Sequence, residues 1–536
     1  MKKITLLLLL LSSVYAIGQE DAWVYFTDKP DAAHYLANPL EMLSQRALDR
    51  RTTQNIALDD KDVPISVSYI NQVTATSGIT VKAKSKWLNS LHIRGSITDI
   101  RGLENLAFVD RVQFANPTLN GEGRTLRQTN SVGVKDLEVQ VNYGYGTSGN
   151  QIRMLKGNLL HQQNFTGNGK IIAVMDAGFP NVNTAQPFQR LLVNNKILGG
   201  YDFVTRNANF YSGGTHGTQV LSTMGGYVEN QLVGTAPDAS YYLFITEDIL
   251  DENPVEESYW VEAAELADSL GVDIINTSLS YFGYNNPDYS YAYFNMNGTT
   301  TFISRGAEIA YSRGMICVAS AGNTGAGPEP HIGAPADAEN VLAVGAVTST
   351  KLYASFSSIG PSADFRVKPD VMAQGEAAVV SNQLGNVVFA NGTSFSSPII
   401  AGMVACLWQA FPNKTNTEIM QLIKQSAHLY NTPNDQFGYG IPDFNLALTN
   451  ALEVPTFSSK TFTIYPNPAT SIVNLAFPND YEKAQVSIYN NLGQEILYTE
   501  IQNSRPSFSV ENLVAGIYFY KIKAGTNYQT GKLAIK

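Results

Sequence analysis

Along the middle of the chain, short runs in which almost every position is apolar alternate with stretches whose apolar residues recur every three to four positions. The runs 171–175 (IIAVM), 273–275 (DII), 315–319 (MICVA) and 341–344 (VLAV) lack the polar alternation of a strand with one wet face. They predict strands buried on both faces. Residues 258–270 and 302–313 have helical spacing, and Gly314 supplies a stop for the second. Thr415 and Glu418 form a capping box ahead of Ile419, Met420, Leu422 and Ile423, which predicts a further helix. Strand and helix in alternation imply an α/β fold, a mainly parallel sheet flanked by helices, over residues 151–452.

The flanks follow other patterns. Lys2 and Lys3, the apolar run 6–11 and the small residues 12–16 read as a secretory signal over 1–18. The apolar core falls well short of the ~20 residues of a membrane span, no later segment has that character, and no cysteine near the cleavage site offers a lipid anchor. Residues 19–118 mix a strand-like run (22–26) with a helix-like, charge-rich segment (40–51), an α+β unit. Residues 119–150 are polar and glycine-rich, ending in YGYGTSG at 143–149, and read as a linker with a processing region. A Pro- and Ser-containing join (453–460) leads to alternating segments at 461–465, 484–489 and 516–522, a small β-sandwich over 461–536.

Composition narrows the function. The 536 residues are 44% hydrophobic and 15% charged with a net charge of -10, which suits buried cores and excludes a nucleic-acid surface. Cys317 and Cys406 are the two cysteines, too few for a disulfide scaffold or a Cys zinc site; both fall on apolar elements and read as core thiols, with pairing open. His34, His92, His161, His331 and His428 read as surface or packing residues, and no HExxH pair or calcium loop exists. No metal or cofactor is expected, structural calcium being left open. The Tyr- and Asn-rich stretch 281–301 reads as a surface loop rimming a cleft.

Three polar residues stand where apolar elements meet glycine-rich turns. Asp176 ends the run 171–175, His216 lies in Gly213-Gly-Thr-His-Gly-Thr218, and Ser394 opens an apolar helix with Pro398 in its first turn. A serine hydroxyl needs an imidazole base, and the imidazole needs a carboxylate to fix its tautomer. Acyl transfer also needs donors for a developing oxyanion; Asn323 in Ser320-Ala-Gly-Asn-Thr-Gly325 and the Ser394 N–H could supply them. Each residue alone has an ordinary reading as a turn, surface or capping residue.

Taken together, in the order Asp, His, Asn, Ser, the motifs resemble the subtilisin-like serine peptidases over roughly 151–452. The resemblance implies substrate binding by Ser278, Leu279 and Ser280, in the segment NTSL at 276–279 and just beyond, and by Ala321 and Gly322. FSSIGP at 356–361 and VKPDV at 367–371 look like the segment before the serine. Four positions depart from the family: Ala177 where Thr or Ser is usual, Ser280 for Gly, and Gln219 and Ile399 where His is common. Residues 78–82, 87–91 (helix-like) and 109–114 give the strand–helix–strand order of that family's propeptides, inhibitory chaperones. YPNP at 465–468, IYNNLG at 488–493 and AGIY at 515–518 resemble the C-terminal sorting domain for type IX secretion in Bacteroidota. The implied protein is a secreted or outer-membrane surface endopeptidase exported through the periplasm, forming an acyl-enzyme. Its partners would be protein or peptide substrates, its own propeptide and the type IX machinery. The alternative is a catalytically weak or inactive relative that acts as a surface-binding protein. An α/β-hydrolase esterase is disfavoured, since Ser394 lacks the GxSxG elbow and the Asp precedes it.

Overall fold

A four-stranded antiparallel sheet begins the chain: β1 (Gln19–Phe26), β2 (Thr80–Ser85), β3 (Ser90–Ser96) and β4 (Val109–Phe114), in the order β2-β3-β1-β4. The computed structural model describes residues 18–120, 143–452, 462–477, 481–524 and 527–536. The signal segment up to residue 17, most of the linker and nearly all of the join before the sandwich lie outside the described residues. Residues 1–450 and 451–536 form two units.

The run 22–26 is apolar at successive positions because both faces of β1 are covered. Ala22, Val24 and Phe26 face a core with Leu91, Ile93 and Phe114, while Trp23 and Tyr25 join the core that contains Trp260 and Phe302. Two expectations are corrected here. The helix expected over 40–51 starts later: α1 spans Gln45–Thr53, capped by Ser44, whose side chain accepts from the Ala47 N–H. Pro39–Glu41 is a separate 3-10 turn. Residues 87–91 are not helical: 87–89 turn from β2 into β3, with Asn89 at φ +47°, and Ser90 and Leu91 begin β3. Trp87 and Leu91 are both buried, so an apolar pair four apart imitates a helical face. The helices of this region are α2 (Val67–Thr74), before β2, and a short one over Ile97–Gly102, between β3 and β4.

Seven parallel strands form the central sheet: β5 (Ile171–Asp176), β6 (Ile197–Asp202), β7 (Ser240–Ile245), β8 (Ile274–Thr277), β9 (Ile316–Ser320), β10 (Val341–Val347) and β11 (Val371–Gln374). Their order is β11-β10-β9-β8-β5-β7-β6. Every residue of β5, β8, β9, β10 and β11 is buried, as continuous apolar runs require. The order reverses at β5, so the carboxyl end of β5 is the switch point where a crevice opens. Helices α3 (His216–Gly225) and α6 (Thr393–Ala410) pack on one another, as do α4 (Val255–Leu270) and α5 (Phe302–Ser312). The capping box at Thr415 and Glu418 opens α7 (Asn416–Ser426).

The N-terminal sheet is seated on α4, and α1 seals the ends of two helices. Arg50 donates to the carbonyls of Val272 and Arg313 and pairs with Asp268; Arg51 bridges Asp62 and Asp268, and Gln54 donates to Gly314 O at 2.8 Å. The carbonyl acceptors lie at the C-terminal ends of α4 and α5, where carbonyls lack intrahelical partners. Glu265 of α4 accepts from the Lys86 and Trp87 N–H groups, both at 2.9 Å, and from Ser85 Oγ at 2.6 Å.

Three further readings are settled. Residues 143–149 are not linker: Tyr145 is buried with Ile152 and Val233, and Ser148 Oγ accepts from the Val233 N–H. The stretch 281–301 is a surface loop that rims the cleft through Tyr281, Phe282 and Gly283, with Phe294 73% exposed, but several of its side chains are packed inward. Tyr281, Tyr284, Tyr289 and Met296 are buried, and the Tyr284 and Tyr291 hydroxyls each donate to the buried Glu257 at 2.6 Å, because a tyrosine can bury its ring only if its O–H finds a partner. Cys317 and Cys406 are free and buried.

The second unit is a sandwich of two antiparallel sheets. One holds β12 (Thr463–Tyr465), β13 (Ile472–Ala476) and β16 (Ser507–Ser509); the other holds β14 (Lys483–Tyr489), β15 (Glu495–Gln502), β17 (Gly516–Ala524) and β18 (Asn527–Ile535). Val473, Leu475, Val486, Ile488, Ile501, Ile522 and Leu533 fill the space between them. Among the described residues no helix is long and apolar enough to cross a membrane.

Candidate active site

Asp176 is the last residue of β5 and is fully buried. Its Oδ1 accepts from the Ala177 N–H at 2.8 Å and meets His216 Nδ1 at 2.8 Å. Its Oδ2 has no partner, at the place where a hydroxyl on residue 177 could have served.

His216 is the first residue of α3, and two glycine features bring it to the carboxylate. Gly213 has φ +78°, and Gly178 and Gly213 form an isolated bridge. At Gly217 a Cβ would lie 2.5 Å from Gly178 O and 2.9 Å from the Asp176 Cβ, so only glycine allows this approach of α3 to β5. Gly217→Ala is therefore expected to move His216 off Asp176, lowering kcat/KM by at least about tenfold. Kinetics on a peptide substrate beside a thermal melt would check it. The Asp176 charge, and its hydrogen bond, raise the His216 pKa above its ordinary value against the opposing effect of burial.

Ser394 is the second residue of α6, after Gly392 at φ +148°. Its N–H, in the first turn, has no intrahelical acceptor. Pro398 lies inside the helix, in the second turn rather than the first. It carries no N–H, so the carbonyl four residues back, that of Ser394, is free of the helix ladder. Ser278 Oγ donates to that carbonyl at 2.8 Å, and Ser394 Oγ donates to Ser278 O at 3.2 Å. The hydroxyl must exchange this last bond for the imidazole before it can react.

Asn323 follows β9 through Gly322, at φ +110°. Its Oδ1 accepts from the Thr393 N–H at 2.9 Å and the Thr393 hydroxyl at 3.1 Å, which leaves its NH₂ group for the cleft. Ser278, Leu279, Ser280, Gly322 and Asn323 line a cavity of about 660 Å³ together with His216 and Ser394. Ala321 is fully buried and is not among the lining residues. Ser280 Oγ occupies space that a Cβ on Gly333 would approach to 2.3 Å.

Sequence reasoning missed an acidic part of the cavity lining, made by Glu247, Asp248, Glu252 and Glu256. The signal was present: residues 247–257 carry six acidic side chains. Carboxylate oxygens of Glu247, Glu252 and Glu256 lie within 4.8 Å of one another. Burial first, then neighbouring carboxylates, push Glu247 up to about 8 and Glu256 up to about 10.

Residues 167–440 match the subtilase family, residues 21–133 match the peptidase S8 propeptide domain of Bacteroidota, and residues 463–536 match the secretion system C-terminal sorting domain. The chain is 31% identical over 281 residues to subtilisin NAT of Bacillus subtilis subsp. natto, covering 52% of this chain and 65% of that protein. It is 30% identical over 281 residues to a subtilisin of Bacillus pumilus, covering 52% of this chain and 90% of that one. With subtilisin DY of Bacillus licheniformis it shares 28% identity over 291 residues, 54% of this chain and 93% of the relative.

Proposed function

The chain belongs to the subtilase family, and from that membership we propose that it is a secreted serine endopeptidase that cleaves peptide bonds through an acyl-enzyme. The observation that carries this reading is the 2.8 Å bond between Asp176 and His216 on the rim of the cavity that holds Ser394. In the proposed mechanism, Ser394 Oγ leaves Ser278 O, gives its proton to His216 and attacks the substrate carbonyl. Asp176 holds the imidazole through Nδ1 and favours the imidazolium that forms. The Asn323 amide and the Ser394 N–H receive the oxyanion. His216 then protonates the leaving amine, and water repeats the cycle on the ester. The substrate lies along residues 278–280, with the Ser280 side chain narrowing the pocket.

A fluorophosphonate probe should label Ser394 and leave Ser394→Ala blank; absence of labelling would favour the second reading, a silent relative that binds at the surface. That second reading draws on the unpartnered Oδ2 of Asp176. The pH profile tests the base: His216 must be neutral to accept the proton, and its pKa is raised. The rising limb of kcat/KM should therefore lie on the alkaline side of the ordinary histidine value of about 6.5, with activity increasing as pH rises through it. An optimum at pH 4 would sink the triad.

The C-terminal sorting domain implies export of the protein, to the surface or the medium. The proposed route is type IX secretion after passage through the periplasm. Because the sandwich has its own core, deletion of residues 461–536 should leave a folded but retained enzyme, with activity in the periplasmic fraction and little in the medium. Full secretion of the truncated protein would assign the sandwich to binding instead. The N-terminal portion matches a propeptide domain, and its proposed roles are to template and inhibit the peptidase.

A further inference from the structure

Some buried acids of this fold are matched with cations: Asp268 with Arg50 and Arg51, Asp273 with Arg46 and Lys170, and Asp370 with Lys368 and Lys424. Others, such as Glu257, Glu265 and Asp337, each sit among neutral donors. The glutamates of the cleft have no cation either, and unlike those they are gathered three together. Among the described residues no Lys, Arg or His forms an ion pair with Glu247, Glu252 or Glu256. Their hydrogen-bond partners are neutral: Tyr281 and Thr246 for Glu247, and the N–H groups of Asp248 and Asn253 for Glu256. Three carboxylates within 4.8 Å of one another have either to keep protons or to receive a positive group from outside.

The same cavity supplies an independent feature. Ile249, 66% exposed, and Phe282 line it beside the acids. An aliphatic stem has an apolar surface to lie on while its tip reaches the carboxylates, the division found in lysine and arginine side chains. The cavity also contains Ser394 and His216, so a peptide positioned for cleavage passes these acids. Both oxygens of Glu256 already accept backbone N–H groups, at 2.7 and 3.0 Å.

Resting on the endopeptidase reading above, we propose that the enzyme selects peptides with a lysine or arginine a few residues from the scissile bond, its cationic end held by Glu247, Glu252 and Glu256. With no such group bound, the carboxyls retain protons, as the raised values for Glu247 and Glu256 indicate. The incoming cation takes the place of those protons.

The test uses the secreted enzyme and pairs of quenched fluorescent peptides that differ only by Lys or Gln, scanned over four positions before and two after the cleaved bond. At one position the Lys peptide should exceed its Gln partner by about 10–100-fold in kcat/KM, since opposite charge in a partly desolvated cleft discriminates strongly. Glu252 is exposed and Glu247 half-buried, so the Glu247→Gln/Glu252→Gln double variant leaves the backbone contacts of Glu256 alone; it should cut the ratio at least about tenfold, and 0.5 M salt should shrink it in the unaltered enzyme. The proposal is overturned if Lys and Gln peptides are cleaved within about twofold of each other at every position, or if the ratio survives the double variant. It is also overturned if a chelator lowers turnover of both peptides alike while the ratio stays near one, which would make the cluster a metal site. If no peptide is cleaved and no fluorophosphonate label appears, the catalytic reading has failed. Anisotropy of labelled Lys and Gln peptides on the Ser394→Ala protein then decides the recognition claim: tighter Lys binding supports it and equal binding overturns it.

Discussion

Ser394→Ala is expected to remove peptide turnover, with kcat falling by about 10⁴–10⁶, while the protein folds as before. The hydroxyl is the attacking group, and its one hydrogen bond in the resting structure, to Ser278 O at 3.2 Å, is long. Losing it leaves no buried donor unmatched. The Ser394 carbonyl keeps its bond from Ser278 Oγ, and alanine is a good helix former at that position. Near-equal melting temperatures and circular dichroism beside absent turnover would separate chemistry from folding. If the precursor cleaves itself, the variant should accumulate at full length. Processing at the normal rate would assign the cut to another protease.

Asn323→Ala comes next, with an expected loss of about 10²–10³ in kcat and little change in KM, the size of one missing oxyanion donor. The amide is pre-aimed: Thr393 grips Oδ1 with both its N–H and its hydroxyl, so only the NH₂ end can face developing charge. Asn323→Asp should be at least as damaging, because it puts an acceptor where the donor stood. An unchanged kcat for the alanine variant would mean that the Ser394 N–H alone carries the oxyanion.

The parallel sheet was legible in the sequence because its strands are buried on both faces, so that burial and apolar runs coincide. The candidate site was legible because Asp176, His216 and Ser394 are polar residues at the ends of apolar elements, each within two residues of a glycine. What resisted reading was set by tertiary contacts. Arg50 and Arg51 look like the solvated face of a helix, yet both are buried on carbonyls and acids of α4 and α5. Tyr284 and Tyr291 look like loop residues, but the buried Glu257 accepts both of their hydroxyls. No local pattern shows that the chain turns after β2 and that the N–H groups of Lys86 and Trp87 meet Glu265. The acidic run after β7 was plain as composition, but only its place in the lining of the cavity that holds Ser278 and Ser394 gives it a use.

Pro398 also determines how errors of position spread through the site. By lacking an amide hydrogen it ties the start of α6 to residue 278, so the nucleophile and the segment that receives the substrate travel together. A thermal displacement of one displaces the other in the same sense, and the distance that matters for attack varies less than either part does alone. Precision at the reacting atoms is obtained from a shared frame of reference, without either element having to be immobile.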